Sequence, residues 1–311
     1  MTAPLAPIVL FTYNRPDHTS RTLKALAANE LANQSKLIIY SDGPRSEKDI
    51  PEVESCRALF TEIDGFASVE VHTSDKNKGL AASVIEGVTA TLEQFENVIV
   101  LEDDLVSHPY FLRYMNHHLN RYKDEGDVIS IHGYLSPIDK ALEQPFFIRG
   151  ADCWGWATWR RGWQVFERDA QVLYDRIATD DSLRHTFDMQ DSYHYTRMLR
   201  EQIDGEIDSW AIRWHASAFL ENKLTLYPPS SLIRNIGMDG SGTHKDRSSA
   251  FHSELDKIEL DQVLKSPSSV KEDPSALASL IEFKRSIAPS LWEKIRYNIG
   301  KRIRGRNKSK L

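Results

Sequence analysis

Three consecutive acids, Glu102, Asp103 and Asp104, follow directly on an uninterrupted apolar run, Val98–Leu101. Such a run is the pattern of a strand buried on both faces of a parallel sheet. Carboxylates gathered at the C-terminal end of that strand stand where open α/β sheets bind their ligands. Oxygen donors of this kind suit a hard divalent cation, Mn²⁺ or Mg²⁺, with substrate phosphates completing its shell. An acidic triplet on its own reads as a solvated turn. The apolar strand before it and the helix opening at Pro109 after it point instead to a metal or substrate site.

The preceding residues supply elements to hold these acids in place. Pro7–Tyr13 reads as a buried strand ending at Asn14, Arg15 and Pro16, and Asp17 can cap a helix carrying Leu23, Leu26, Ala27 and Leu31. Lys36–Tyr40 is a second strand, closed by Ser41, Asp42 and Gly43. An acidic helix from about Glu47 to Ile63 leads to a third strand, Val69–Thr73. The polar loop Ser74–Gly79 precedes a helix from Leu80 to Phe95, with Leu80, Val84, Val88 and Leu92 on one face. Strand and helix alternate as far as the acids, which predicts a mostly parallel sheet flanked by helices, built from right-handed crossovers.

Beyond Asp104 the pattern is looser. Helices are expected over Pro109–Tyr122, Ser192–Gln202 and Asp208–Glu221, and strands over Val128–His132, Phe146–Ile148 and Thr225–Tyr227. Ala151–Trp163 packs four tryptophans into thirteen residues, Gly237–His244 is a glycine-rich loop, and Lys245–Pro274 reads as a mobile polar connector. The expected division is a nucleotide-sugar-binding half over 1–104, an acceptor-binding half over 105–245, and a connector with basic tail over 246–311.

Composition narrows the classes. With 41% hydrophobic and 27% charged residues in 311, the chain is globular and can bury a sizeable core. No apolar run reaches the eighteen or so residues that span a bilayer, and the N-terminus has no basic segment of a signal peptide. Cys56 and Cys153 form no CxxC, which argues against a zinc site or disulfide framework and for the cytoplasm. The net charge of −6 is uneven: residues 286–311 carry eight Lys/Arg and one Glu, leaving the remainder near −13. An acidic body argues against nucleic acid as partner, and its basic tail seeks an anionic surface.

Neither GxxxxGK[ST] nor a GxGxxG after the first strand is present, which disfavours P-loop enzymes and dinucleotide dehydrogenases. The strand ends Thr12-Tyr13-Asn14-Arg15 and Ser41-Asp42-Gly43, the Lys78-Gly79-Leu80 loop and Glu102-Asp103-Asp104 resemble the nucleotide-sugar half of a GT-A glycosyltransferase. The later chain is similar to the N-acetylglucosaminyltransferase I family at Val100–Tyr114, Cys153-Trp154-Gly155-Trp156, Asp208-Ser209-Trp210 and Gly242-Thr243-His244.

The resemblance covers residues 7–245 and implies a metal-dependent, inverting transfer from a UDP-sugar, UDP-GlcNAc among the candidates, to a glycan or lipid-linked acceptor. It makes Asp104 the direct ligand of Mn²⁺ or Mg²⁺. Glu102 and Asp103 would hold ribose or sugar hydroxyls, Arg15 and Asp42 would lie beside uracil and ribose, and Thr12, Asn14, Lys78 and Gly79 would complete the donor site. Asp208 would be the base, unless it is only a helix cap, with Asp152 and Asp239 as fallbacks. Trp154 or Trp156 would line the donor or acceptor pocket while Trp159 and Trp163 pack, and His244 would be a late metal ligand or diphosphate contact. A bacterial polysaccharide or lipopolysaccharide transferase is the expected setting.

Two rivals remain. A sugar-nucleotide pyrophosphorylase would carry a glycine-rich loop after its first strand, where this chain has Thr12–Pro16. A non-catalytic carbohydrate- or partner-binding protein on the same fold would have no need of the acids and Asp208. In the tail, Leu291, Trp292, Ile295, Ile299 and Ile303 recur at helical spacing among basic residues. That is the pattern of an in-plane membrane helix, so residues 287–311 are expected to bind the anionic inner face of the plasma membrane.

Overall fold

The computed structural model describes residues 4–239, 249–255 and 258–287. The first half alternates as expected: β1 (Ile8–Thr12), α1 (Pro16–Ala27), β2 (Lys36–Ser41), α2 (Ile50–Leu59), β3 (Ser68–Thr73), α3 (Leu80–Gln94) and β4 (Asn97–Glu102). Then follow β5 (Leu105–Ser107), α4 (Phe111–Arg121), β6 (Val128–His132), β7 (Phe146–Arg149), β8 (Trp156–Trp159) and α5 (Arg160–Trp163). The remainder is α6 (Ala170–Ala178), α7 (Asp181–Phe187), α8 (Tyr195–Ile203), α9 (Trp210–Leu220), β9 (Leu224–Tyr227), β10 (Ile233–Asn235), α10 (Leu260–Val263) and α11 (Pro274–Ser286).

Eight strands form one central sheet in the order β3-β2-β1-β4-β8-β6-β9-β7. β1, β2, β3 and β4 run parallel, β8 lies antiparallel between β4 and β6, β6 and β9 are parallel, and β7 closes the edge antiparallel to β9. Alternate residues of each strand face opposite layers. Ile8 and Leu10 of β1, with Ile99 and Leu101 of β4, pack toward Leu23 and Leu26 of α1 and the apolar side of α4. Val9, Phe11, Val98 and Val100 pack toward Val84, Val88 and Leu92 of α3 and Trp210 and Trp214 of α9. Val98–Leu101 are at most 1% exposed, and each such side chain contributes about 1.5–3 kcal/mol by leaving water. The strand beneath the acids is thus a rigid base.

Several expectations need correction. The tryptophan-rich segment contains a central strand, β8, that its composition did not reveal. α1 begins at Pro16 with Arg15 at its N-cap, so Asp17 sits in the first turn and does not cap it. α4 starts at Phe111, two residues after Pro109. α6 and α7 occupy a stretch where no helix was expected. The described part of the connector packs on the body: Ile258 and Val263 are buried, and the Val263 carbonyl lies 2.9 Å from His118 Nε2.

A second, two-stranded sheet pairs β5 antiparallel with β10. It carries the chain after Asn235 back to the acids, where the Ile236 amide donates to the Asp104 carbonyl at 2.8 Å. No helix among the described residues is long and apolar enough to cross a membrane. His244 and the basic segment from residue 288 onward lie outside the described residues.

Candidate functional site

The C-terminal ends of β1, β2 and β4 and the start of α3 enclose a cavity of about 310 Å³. Thr12, Asn14, Arg15, Asp42, Gly79, Glu102 and Asp103 all line it, so seven of the residues singled out from sequence converge. The strand order puts them there, because β1 lies between β2 and β4.

Arg15 organises the acids. Its Nη2 donates to Asp103 Oδ1, and to Asp104 Oδ2 at 2.9 Å. Nη1 of the same guanidinium is buried with no partner among the described residues. Burial works against the charge on Arg15, but Asp103 and Asp104 outweigh it and keep the group protonated. Three carboxylates to one guanidinium leave surplus negative charge. Glu102, partly buried in the cavity wall and flanked by Asp104 and Asp103, is pushed up from the usual carboxylate range, first by burial and then by those neighbours. Asp103 is also raised by burial, against the pull of Arg15. Gly237 lies against the Asp104 carboxylate, with no room there for a side chain. The sequence pointed to the loop and not to this contact.

Asp42 does a different job from a free ligand. Its Oδ1 accepts from the amides of Gly43 and Lys78, both at 2.8 Å, and its Oδ2 from Asn77 Nδ2 and the Gly79 amide, both at 3.0 Å. Four donors use the acceptor capacity of one carboxylate, so Asp42 clamps the 77–79 loop against the end of β2. Gly79 can take its place in that loop because its φ of 81° is open to glycine. Lys78 contributes its backbone here, while its ammonium pairs with Glu86 at 2.7 Å on the surface. Asn77, Tyr13, Tyr40 and Arg45 join the cavity wall without having been singled out from sequence. Asn77 was the most legible of them, since it lies in the polar loop that the sequence marks.

The tryptophans divide differently from expectation. Trp156 is fully buried, with Trp210 at 5.3 Å, Trp163 at 5.8 Å and Trp214 at 5.8 Å between ring centroids. With no exposed face it is a core residue, which corrects the assignment to a sugar pocket. Trp154 is partly buried and meets Tyr134 edge-on at 4.7 Å.

Asp208 does not line this cavity. Its carboxylate is 66% exposed and pairs with Arg213 at 3.1 Å, and the cap of α9 is Ser209. Asp239 lies 3.2 Å from His18 Nε2.

Neither thiol is activated. Cys56 is buried and pushed up to about 11, and Cys153 is pushed well above the ordinary thiol range, first by burial and then by Asp152, Glu102 and Asp104. Since the thiolate is the nucleophile, alkylation of Cys56 by iodoacetamide at pH 8 is expected to run about 100-fold slower than that of free cysteine. Comparable rates in the folded protein would show these environments to be wrong.

No family model matches the chain, and no curated protein matches it in sequence. Similar solved structures include the following three, all at low identity. A mannosyltransferase from Pyrobaculum calidifontis in complex with GDP-Man and Mn²⁺ has 10% identity and a TM-score of 0.35, over 97% of this chain and 81% of the other. TarS of S. aureus has 12% identity and a TM-score of 0.38, over 76% of this chain but only 37% of its own. A mannose-1-phosphate geranyltransferase from Thermus thermophilus has 14% identity and a TM-score of 0.36, over 71% of this chain and 73% of the other. Likeness at this level identifies neither family nor activity.

Proposed function

We propose that the chain is a GT-A-type glycosyltransferase that moves a sugar from a UDP-sugar, with inversion, to a glycan or lipid-linked acceptor. The observation that carries this reading is the convergence of Glu102, Asp103 and Arg15 on one cavity at the C-terminal ends of three parallel strands, with Asp104 paired to the same Arg15. Breaking a sugar–phosphate bond develops negative charge on the departing diphosphate, and catalysis consists largely of placing positive charge there. Arg15 places a guanidinium in the cavity wall, and the first turn of α3 adds the positive end of a helix.

The acids also fit a divalent cation. They are all hard oxygen donors with surplus charge, and Asp104, with Asp103 beside it, would hold the ion. Among the described residues no three His, Cys, Asp or Glu side chains converge into a closed metal cage. An ion held here by one or two carboxylates would need substrate phosphates to complete its shell. Such an ion supplies Lewis-acid stabilisation of the leaving diphosphate. A second reading rests on Arg15 alone: its pairing with both Asp103 and Asp104 favours a guanidinium in the role of the cation. The basic segment 287–311 would then hold the protein at the cytoplasmic face of the membrane, beside lipid-linked acceptors.

Thermal melting with UDP and GDP, each with Mn²⁺ or with EDTA, tests the proposal. A ligand at about 100 times its Kd stabilises by about 2.7 kcal/mol, a shift of a few degrees. UDP with Mn²⁺ is expected to give that shift and UDP in EDTA much less, whereas equal shifts favour the Arg15 reading. No shift with either nucleotide under any condition sinks both. The sign with pH also follows. A carboxyl raised in the folded state, as Glu102 is, contributes most below its unfolded value and loses that contribution as pH rises through the folded one. The gain from Mn²⁺ is therefore expected to grow from pH 5 to pH 8.

A further inference from the structure

A second cavity, of about 70 Å³, lies against the other half of the sheet under α8, α9 and α11. It has room for about five waters, the scale of one monosaccharide ring and not of a chain. Tyr134, Tyr195, Tyr227, Phe187 and Phe219 supply aromatic walls, which suit the apolar faces of a sugar ring.

Most polar groups around it are already committed. Arg149 stacks on Phe219 and donates from Nε to its carbonyl at 2.9 Å, its amide donates to Glu272 at 2.9 Å, and His215 Nδ1 lies 2.7 Å from the Ala151 carbonyl. Asp152 and Lys284 are left with capacity. Asp152 Oδ1 accepts from the Cys153 amide at 2.8 Å, and Oδ2 accepts a long hydrogen bond from Tyr227 Oη at 3.4 Å. The Lys284 ammonium rests over the rings of Tyr193 and Phe251 at 4.4 and 5.0 Å.

Two irregularities adjoin the cavity. Behind Asp152, His132 is fully buried, its Nε2 is 3.7 Å from Asp152 Oδ2, and neither ring nitrogen has a hydrogen-bond partner among the described residues. Native cores seldom leave such a ring unsatisfied. Met189, in the wall, opens three consecutive non-glycine residues with φ of 49°, 56° and 59°. Strain of that kind gathers at ligand sites.

The antiparallel pairing of β8 with β4, Trp156 opposite Val100, brings the residues just before β8 toward the acids at the end of β4. The carboxylates of Asp152, Glu102 and Asp104 all bear on the Cys153 thiol. Burial alone would raise Asp152, but His132 and Lys284 outweigh it and hold the carboxyl below its usual range. Burial lowers His132 from the ordinary imidazole value, against the pull of Asp152.

Resting on the donor reading above, we propose that this cavity holds the terminal ring of the acceptor saccharide, with Asp152 as base for its attacking hydroxyl and Lys284 as donor to a second hydroxyl oxygen of the same sugar. In the transfer the acceptor oxygen forms a bond to the donor sugar's anomeric carbon. The bond from that carbon to phosphate breaks with its electron pair going to the diphosphate, and the hydroxyl proton passes to Asp152.

Saturation-transfer NMR on the full chain with the methyl glycosides of glucose, galactose, mannose and N-acetylglucosamine tests the site. At least one glycoside is expected to bind at millimolar concentration, and to lose tenfold or more in affinity in Asp152→Asn and in Lys284→Met. Asp152→Asn keeps an oxygen for the Cys153 amide, and Lys284→Met keeps its stem against Tyr193 and Phe251, so both should fold, as near-ultraviolet circular dichroism would report. If none of the four glycosides binds, or if binding is indifferent to both substitutions, the proposal is overturned. Glycoside binding that depends on both residues, in a protein that fails to bind UDP or GDP, upholds this cavity and removes only the donor reading.

Discussion

Replacing Asp104 by alanine is expected to abolish Mn²⁺-dependent nucleotide binding while leaving the fold intact. The carboxylate stands at the end of a strand whose apolar residues are at most 1% exposed, so its removal opens no cavity in the core. The amide of Ile236 bonds to the Asp104 backbone carbonyl, which alanine retains. Arg15 keeps Asp103 as partner. Removing one of three neighbouring acids also relieves the repulsion that pushes Glu102 upward, so the cation-free protein should melt at or slightly above the wild-type temperature. Affinity for UDP with Mn²⁺ should fall by at least about 10²-fold, since even residues that only orient metal ligands are worth about 10–100-fold. Titration calorimetry with and without Mn²⁺ measures this. A folded Asp104→Ala protein with undiminished metal dependence removes Asp104 as a ligand.

How legible these features were depended on how local their causes are. β1, β2 and β4 are each built on an unbroken run of four apolar residues, and a buried strand needs nothing else to be recognised. The acids followed, because their position at the end of β4 is a property of adjacent residues. β8 was hidden because Trp156-Ala157-Thr158-Trp159 is buried on both faces between β4 and β6. Its environment comes from strands far away in sequence, and tryptophan spacing does not announce it. The same distance effect displaced Trp156 from a pocket to the core. Asp208 shows the limit of carrying a role over from a resemblance: its neighbour Ser209 caps the helix, and the carboxylate turns to Arg213. The Asp152 environment draws on β6, β9, α9 and α11, which no window of sequence brings together.

Asp42 illustrates how a residue recognised from sequence acquires a role that only three dimensions reveal. It is 8% exposed, and its four accepted hydrogen bonds tie the end of β2 to the residues that open α3. The turn it holds is tight: a side chain on Gly43 would meet the backbone of Asp75 and Lys76 within 2.8 Å. A negative group there also complements the positive end of the fifteen-residue helix α3. Asp42→Ala would leave three backbone N–H groups without their acceptor, while the Asn77 amide would keep only the Gly43 carbonyl, at 2.9 Å. Stranding a single buried donor costs about 1–3 kcal/mol, and water entering the loop would offset part of the total. The expected loss is therefore about 3 kcal/mol of stability, together with most of the nucleotide affinity, because Asn77 and Gly79 line the donor cavity. Asp42→Asn is the sharper test, since it keeps the shape. Its NH₂ group must face either the amides of Gly43 and Lys78 or the donors of Asn77 and Gly79, so one pair of attractive contacts becomes a pair of opposed donors. It should lose about 2 kcal/mol or more, and UDP binding should weaken along with it. Urea denaturation and calorimetry on both variants read the two effects separately. A wild-type midpoint and wild-type affinity in Asp42→Asn would mean that the loop holds itself without the clamp.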